Sequence, residues 1–393
     1  MTVWDDLVGR EPAVAVLKRA VASAAARLQG ESGAATAGMT HAWLITGPPG
    51  SGRSNAGRAF AAALQCDKQG DKQGCGECAS CRTALSGAHP DVSLIRTELL
   101  SIRVGEIREL VRRAAMRPTQ GRWQVMVVED ADRLTEQAAD ALLKSIEEPA
   151  QRTVWVLCAP TVEDVVPTIR SRCRLLVLRT PPVAAIAGML TDKAGVEPEL
   201  AGFAARAAQG HIGRARALAR DEEVRNRRTR VLEVPFELRD LGACVNAAQR
   251  LVDAAKEESK ASTAKVDERE RSELEQALGM GTKGAKPRET AAALKELEDQ
   301  QKARAKRWER DVLDRSLVDL MALYRDVLVL QTRAGAELIN AELVDHLEQL
   351  ANRTSPEQTV RRIDALSGCR EAIEGNVAPL LALEAMTIAL FEG

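Results

Sequence analysis

Short apolar runs alternate with stretches of helical spacing through the first half of the chain. Glu11 to Leu28 carries apolar residues at helical intervals. Ala42-Trp43-Leu44-Ile45-Thr46 is an apolar run that stops at Gly47, which predicts a buried strand. A helix is expected from about Arg53 to Leu64, a strand over Val92 to Ile95, and a helix over Val104 to Met116 that Pro118 and Gly121 close. Further strands are predicted at Gln124 to Val128, Thr153 to Cys158 and Leu175 to Leu178, with a helix from Gln137 to Glu148 that stops at Pro149. Strands that alternate with helices imply a parallel sheet covered on both faces.

Beyond Pro181-Pro182 the strand signal fades. Residues 183 to about 221 read as a small helical unit, and from about 235 onward the chain is nearly all helix. Ser355 before Pro356, with Gln358 three positions on, marks a helix start. Val377 to Leu390 predicts a strongly apolar last helix. Residues 256–310 are dense in charge and broken by Gly279-Met280-Gly281-Thr282-Lys283-Gly284. They read as helix, joint, helix, with partly disordered chain as the alternative.

Composition narrows this picture. Aromatic residues make up only 3% of the 393, so the cores must be built from Ala, Leu, Val and Ile, which favours helix over an all-β fold. The 55 basic and 56 acidic residues nearly cancel. Any contact with nucleic acid must therefore come from a local patch or from partner subunits. The N-terminus lacks the pattern of a signal peptide and no apolar run reaches membrane-spanning length, so a cytoplasmic location without membrane contact is expected.

Three constellations carry chemistry. Gly47-Pro48-Pro49-Gly50-Ser51-Gly52-Arg53-Ser54 has the glycine spacing of a P-loop between a strand and a helix. There, backbone N–H groups turn inward and the helix start adds positive potential for phosphate. Ser54 stands where a hydroxyl holds Mg²⁺, but Arg53 replaces the lysine of the motif. ATP with Mg²⁺ is left open as a ligand, and efficient hydrolysis is disfavoured. Val125 to Val128 ends in Glu129-Asp130, where P-loop ATPases place a carboxylate for the Mg²⁺ shell and one that orients water, usually as Asp then Glu. The inverted order favours a polar strand end over a catalytic pair. Cys66, Cys75, Cys78 and Cys81 follow the spacing C-x8-C-x2-C-x2-C. Four thiolates satisfy tetrahedral Zn²⁺ and leave no open position, so a structural zinc is expected. Cys158 and Cys244 read as small core residues.

Taken together, the P-loop, the four-cysteine insert, the acid-ended strand, Ala141 to Pro149 (ALLKSIEEP) and Ser171-Arg172-Cys173 resemble the bacterial clamp-loader subunits. Thr40-His41-Ala42-Trp43-Leu44 and the helix from Asn376 to Leu390 are similar to that family too. The resemblance is strong over roughly residues 1–220 and weak beyond, and the segment 256–310 has no clear counterpart.

The resemblance implies an α/β AAA+ P-loop core with a zinc-binding insert, then a helical lid and an all-α collar-type domain. On this chain these fall at residues 1–182, with the zinc module at 66–81, then 183–222 and 235–393. It also implies that Arg172 is an arginine finger reaching a neighbouring subunit's ATP site. The partners implied are gamma/tau and delta loader subunits, with the sliding clamp and primer-template DNA reached through the complex.

The family holds both ATPase motors and a stator that supplies a finger but is often defective in its own site. Four departures favour the stator. They are Arg53, the order Glu129-Asp130, the missing polar sensor in Leu157-Cys158-Ala159-Pro160 with Thr161 two places late, and Gly213 where the lid's sensor arginine is expected, with Arg214 one late. No intrinsic ATPase activity is expected. A motor with a tolerated arginine P-loop, and a regulatory AAA+ protein outside replication, remain the alternatives. Contact of the zinc module with DNA through Lys68, Lys72 and Arg82 is a weak third idea.

Overall fold

The computed structural model describes residues 2–97, 99, 101–278 and 288–393, and the proposed joint at 279–284 lies outside them. The described chain divides into two compact units, Met1–Arg220 and Asp221–Gly393.

The first unit is built on five strands: β1 (Ala42–Thr46), β2 (Val92–Ile95), β3 (Gln124–Val128), β4 (Thr153–Ala159) and β5 (Arg174–Val177). They form one sheet in the order β2-β3-β4-β1-β5, and every pairing is parallel. Its helices are α1 (Glu11–Leu28), α2 (Arg53–Gln65), α3 (Ala79–Ser86), α4 (Val104–Ala114), α5 (Glu136–Glu147), α6 (Pro167–Arg170), α7 (Val183–Ala194), α8 (Pro198–Ala207) and α9 (Ile212–Arg220).

Strand residues alternate between two layers. Trp43, Ile45, Val125, Val127, Val154, Val156 and Cys158 join the core shared with α1, α2 and α3. Leu44, Met126, Val128, Trp155 and Leu157 join the core shared with α4, α5 and α6. The central strands are buried at every position, so their sequence reads as continuous apolar runs rather than as an alternating pattern. Trp43 and Trp155 are fully buried and supply much of the aromatic volume of this unit. At the edge, β5 exposes Arg174, Leu175 and Val177 and buries Leu176.

The topology positions the chemistry. β1 lies inside the sheet, so its C-terminal end opens directly into the P-loop and α2. The acidic end of β3 lies two strands over, with β4 between. Ligands of open α/β sheets bind outside the carboxyl ends of the strands where strand order switches.

Among the described residues the second unit is built of helices and short connections, with no strand: α10 (Glu222–Glu237), α11 (Leu241–Ala277), α12 (Arg288–Thr332), α13 (Val344–Arg353), α14 (Pro356–Glu374) and α15 (Pro379–Glu392). α10 lies largely between the two regions for which the sequence pattern predicts helix. Leu251, Leu320, Leu323, Tyr324, Leu366 and Leu383 lie in one buried cluster. The highly charged stretches on either side of 279–287 are the ends of α11 and α12. Arg304 binds Asp267 at 2.9 Å and Glu270 at 2.7 Å, and Ser259 Oγ donates to the Ala305 carbonyl at 2.9 Å. These polar ties hold two helices together where few apolar residues are available. Ser355 and Gln358 form the expected reciprocal cap on α14.

No described helix is long and apolar enough to cross a membrane.

Candidate functional site

The P-loop turns through two left-handed glycines, Gly50 at φ +76° and Gly52 at φ +83°. Gly52 is the residue from which α2 starts. A side chain at Gly50 would also collide with the ring of His211, which the lead-in to α9 lays against the loop. The imidazole Nδ1 accepts the Arg214 N–H at 3.1 Å, which fixes the ring at the start of that helix.

Arg53 follows Gly52 and folds back, so that its Nη1 donates to the Gly47 carbonyl at 2.8 Å. A lysine at this position of a P-loop reaches the β- and γ-phosphates. Here one donor is spent on the loop itself. Ser54, in the first turn of α2, is half-buried. Gly47 donates its N–H to the Pro160 carbonyl at 3.1 Å, which ties the loop to the end of β4.

Arg10 braces the loop from the N-terminal side. Its side chain is 3% exposed, and Nε donates to the Ser51 carbonyl at 2.8 Å, with Nη2 bonding the same oxygen. Nothing in the P-loop spacing points to this residue.

Glu129 is 4% exposed and pairs with Arg58 of α2. Its charge is therefore met by a guanidinium from the same chain. Asp130 starts a short 3-10 turn, Ala131–Arg133, and its carbonyl accepts the Arg133 N–H. Burial pushes the nearby Asp132 carboxyl above its ordinary value. The sequence offered one signal for Arg58: a buried carboxylate at a strand end needs a cation. Which cation supplies it depends on how α2 packs.

Thr161 is engaged in its own loop, where its N–H donates to Asp164 at 2.8 Å and its hydroxyl accepts the Asp164 N–H at 3.3 Å. The structure thus joins Gly47, Gly50, Gly52, Arg53 and Ser54 in one loop and helix start. Arg10 and His211 pack on it.

Arg172 lies elsewhere, in the turn between α6 and β5. Its side chain is 40% exposed, with Nη2 2.5 Å from Glu147 Oε1 at the end of α5. Nη1 donates to the Thr168 carbonyl at 2.8 Å and lies 3.3 Å from Ser171 Oγ. The guanidinium is thus partly exposed and held by contacts within its own chain.

Cys66, Cys75, Cys78 and Cys81 bring their sulfurs within 4.8 Å of one another. Cys66 closes α2, while Cys78 caps α3 and accepts the Cys81 N–H. The Cys66 sulfur lies 3.8 Å from that of Cys75 and 4.0 Å from that of Cys78. A tetrahedral ion with Zn–S bonds of about 2.3 Å sets its sulfurs about 3.8 Å apart, so the residues present fit the metal. Burial alone would raise the Cys75 thiol, but the N–H groups of Cys78 and Glu77 bring it down to about 7. That favours the thiolate, the form that binds metal, at Cys75, whereas burial raises the Cys78 and Cys81 thiols. Cys158 and Cys244 are buried and lie outside this cluster.

Residues 24–182 match the family described as DNA polymerase III, delta subunit. The delta-prime subunit of DNA polymerase III from Pseudomonas aeruginosa is 37% identical over 135 residues, which cover 34% of this chain and 41% of that protein. The gamma/tau subunit of DNA polymerase III from Mycobacterium bovis is 33% identical over 164 residues, which cover 40% of this chain and 28% of that protein. The chain therefore spans less than half the length of either relative. Among solved structures, a DNA polymerase III gamma subunit-related protein from Thermotoga maritima aligns with 89% of this chain and 93% of its own, at 16% identity and a TM-score of 0.40. That likeness is too loose to add to the sheet topology.

Proposed function

Residues 24–182 match the DNA polymerase III delta subunit family and are similar to delta-prime subunits, and we propose on that basis that the protein is the non-catalytic stator of a bacterial clamp loader. Its own nucleotide site does not turn over ATP. Arg172 is the finger it lends to an adjacent gamma/tau-type ATPase subunit, with a delta subunit completing the ring. The assembly opens the sliding clamp and places it on primed DNA.

The observation that carries this reading is the contrast between two arginines. Arg53, at the P-loop position that should serve phosphate, bonds to its own loop. Arg172 stands at the surface in the Ser-Arg-Cys turn. The pairing of Glu129 with Arg58 and the ring of His211 over Gly50 support the idle site. A guanidinium supplied in trans offsets charge that builds on the γ-phosphate as its bond to the leaving group loosens. On this reading residues 183–222 are the lid, 235–393 form the collar that joins subunits, and the four cysteines hold a structural Zn²⁺.

Two measurements test the proposal. The purified chain should show no steady-state ATP turnover, and brisk turnover would make it a motor instead. In a loader reconstituted with Arg172→Ala, assembly should persist while turnover at the neighbouring site falls on the order of 10³-fold. Unchanged turnover would remove the finger.

A further inference from the structure

We propose that Glu147 is a positioning residue for Arg172: its carboxylate sets the plane and reach of the guanidinium before a neighbouring subunit's phosphate arrives. This inference rests on reading Arg172 as a finger.

Three observations on the chain lead to it. First, the guanidinium is held on two sides, by Glu147 Oε1 at 2.5 Å from Nη2 and by the Thr168 carbonyl at 2.8 Å from Nη1. These contacts use only part of its five N–H donors. Second, Glu147 runs against the local electrostatics. It is the last residue of α5 and is followed by Glu148, so two carboxylates sit at the negative end of the helix dipole. Residues that break a local rule without a local gain tend to mark function. Stability does not account for the pair, because the two side chains are 40% and 44% exposed and such ion pairs contribute little. Third, Glu147 hangs from a fixed element. The Ile146 carbonyl is bonded to His41 Nε2 at 2.8 Å, and Ile146 and Leu142 are fully buried. Arg172 is carried by a turn. A carboxylate on a pinned helix end therefore removes rotamers that the long arginine side chain would otherwise lose on reaching its target.

The test uses the reconstituted loader and single-turnover ATP hydrolysis at the site that receives the finger. Glu147→Ala should lower the single-turnover rate constant by about 10- to 100-fold, with its dependence on ATP concentration unchanged and assembly intact. Glu147→Gln keeps an acceptor oxygen and should lose less. In the Arg172→Ala background, Glu147→Ala should change nothing further, because its effect passes through the arginine. The proposal is overturned if Glu147→Ala turns over normally while Arg172→Ala is defective. It is equally overturned if Glu147→Ala lowers turnover by the same factor with Arg172 already removed, or disrupts assembly, since either would mean that Glu147 only holds α5. Normal turnover in Arg172→Ala itself would instead sink the finger reading beneath it.

Discussion

Asp91 holds a loop that no motif announces. Its carboxylate accepts the backbone N–H groups of Thr119 at 2.6 Å and Gln120 at 2.8 Å, and that of Gly121 as well. Burial alone would raise this carboxyl, but the three donors hold it below the ordinary range. Because its folded value lies below the unfolded value of about 3.9, its contribution to stability is complete above that value. It is lost as pH falls through the folded value. Asp91→Asn leaves N–H groups poorly matched and should cost about 1–3 kcal/mol at neutral pH. Thermal melts of the two proteins should differ at pH 7 and converge at strongly acid pH. A gap that stayed constant down to acid pH would reject the role. The same contrast runs through the candidate site. Arg53 could be singled out from spacing alone, because a motif fixes what belongs there. Arg10, Arg58, Glu147 and His211 could not, because each meets its partner across a distance in sequence that only packing closes.

Among elements, α2 carries the most consequence. It begins at the P-loop and ends at Cys66, so a metal bound by the four cysteines would join the end of the phosphate-loop helix to the start of α3. α3 has only 8 residues and fully buries only Cys81 and Ala84, with Leu85 packed beside them, so its apolar contact is small. Binding free energy at such a site is folding free energy. The purified protein should therefore contain about one zinc per chain. Stripping the metal with a strong chelator, or the substitution Cys81→Ser, should raise amide exchange over 66–86 before the sheet core is affected. Metal analysis that finds no zinc, or exchange unchanged on chelation, would refute this. The Cys pattern marks the four clustered thiols, since residue type and short spacing suffice to bring them together locally. The long charged helices are the opposite case. Their charged composition favours helix but leaves disorder open in sequence, and the bonds from Arg304 and Ser259 that tie them join residues 34 to 46 positions apart.

For the whole molecule, the division at Arg220 and Asp221 makes a prediction of its own. Each unit has its own buried cluster: the two layers around the sheet in one, and the leucine-rich helical core in the other. Fragments 1–220 and 221–393, expressed separately and the first with zinc, should each melt cooperatively. Failure of either to fold alone would mean that the two cores depend on one another.

The sequence determined what acts over short range. Periodicity set the strands and helices, glycine spacing set the P-loop, cysteine spacing set the four-thiol cluster, and the Ser-Arg-Cys turn marked the surface arginine. Tertiary structure alone decided which charges meet. It brought Arg58 to Glu129, Arg10 to Ser51, His211 over Gly50 and Glu147 to Arg172. The physical reason is one of range. Backbone sterics and side-chain periodicity act within a few residues of each other, whereas an ion pair or a packed ring depends on distances that the chain sets only once its layers have closed.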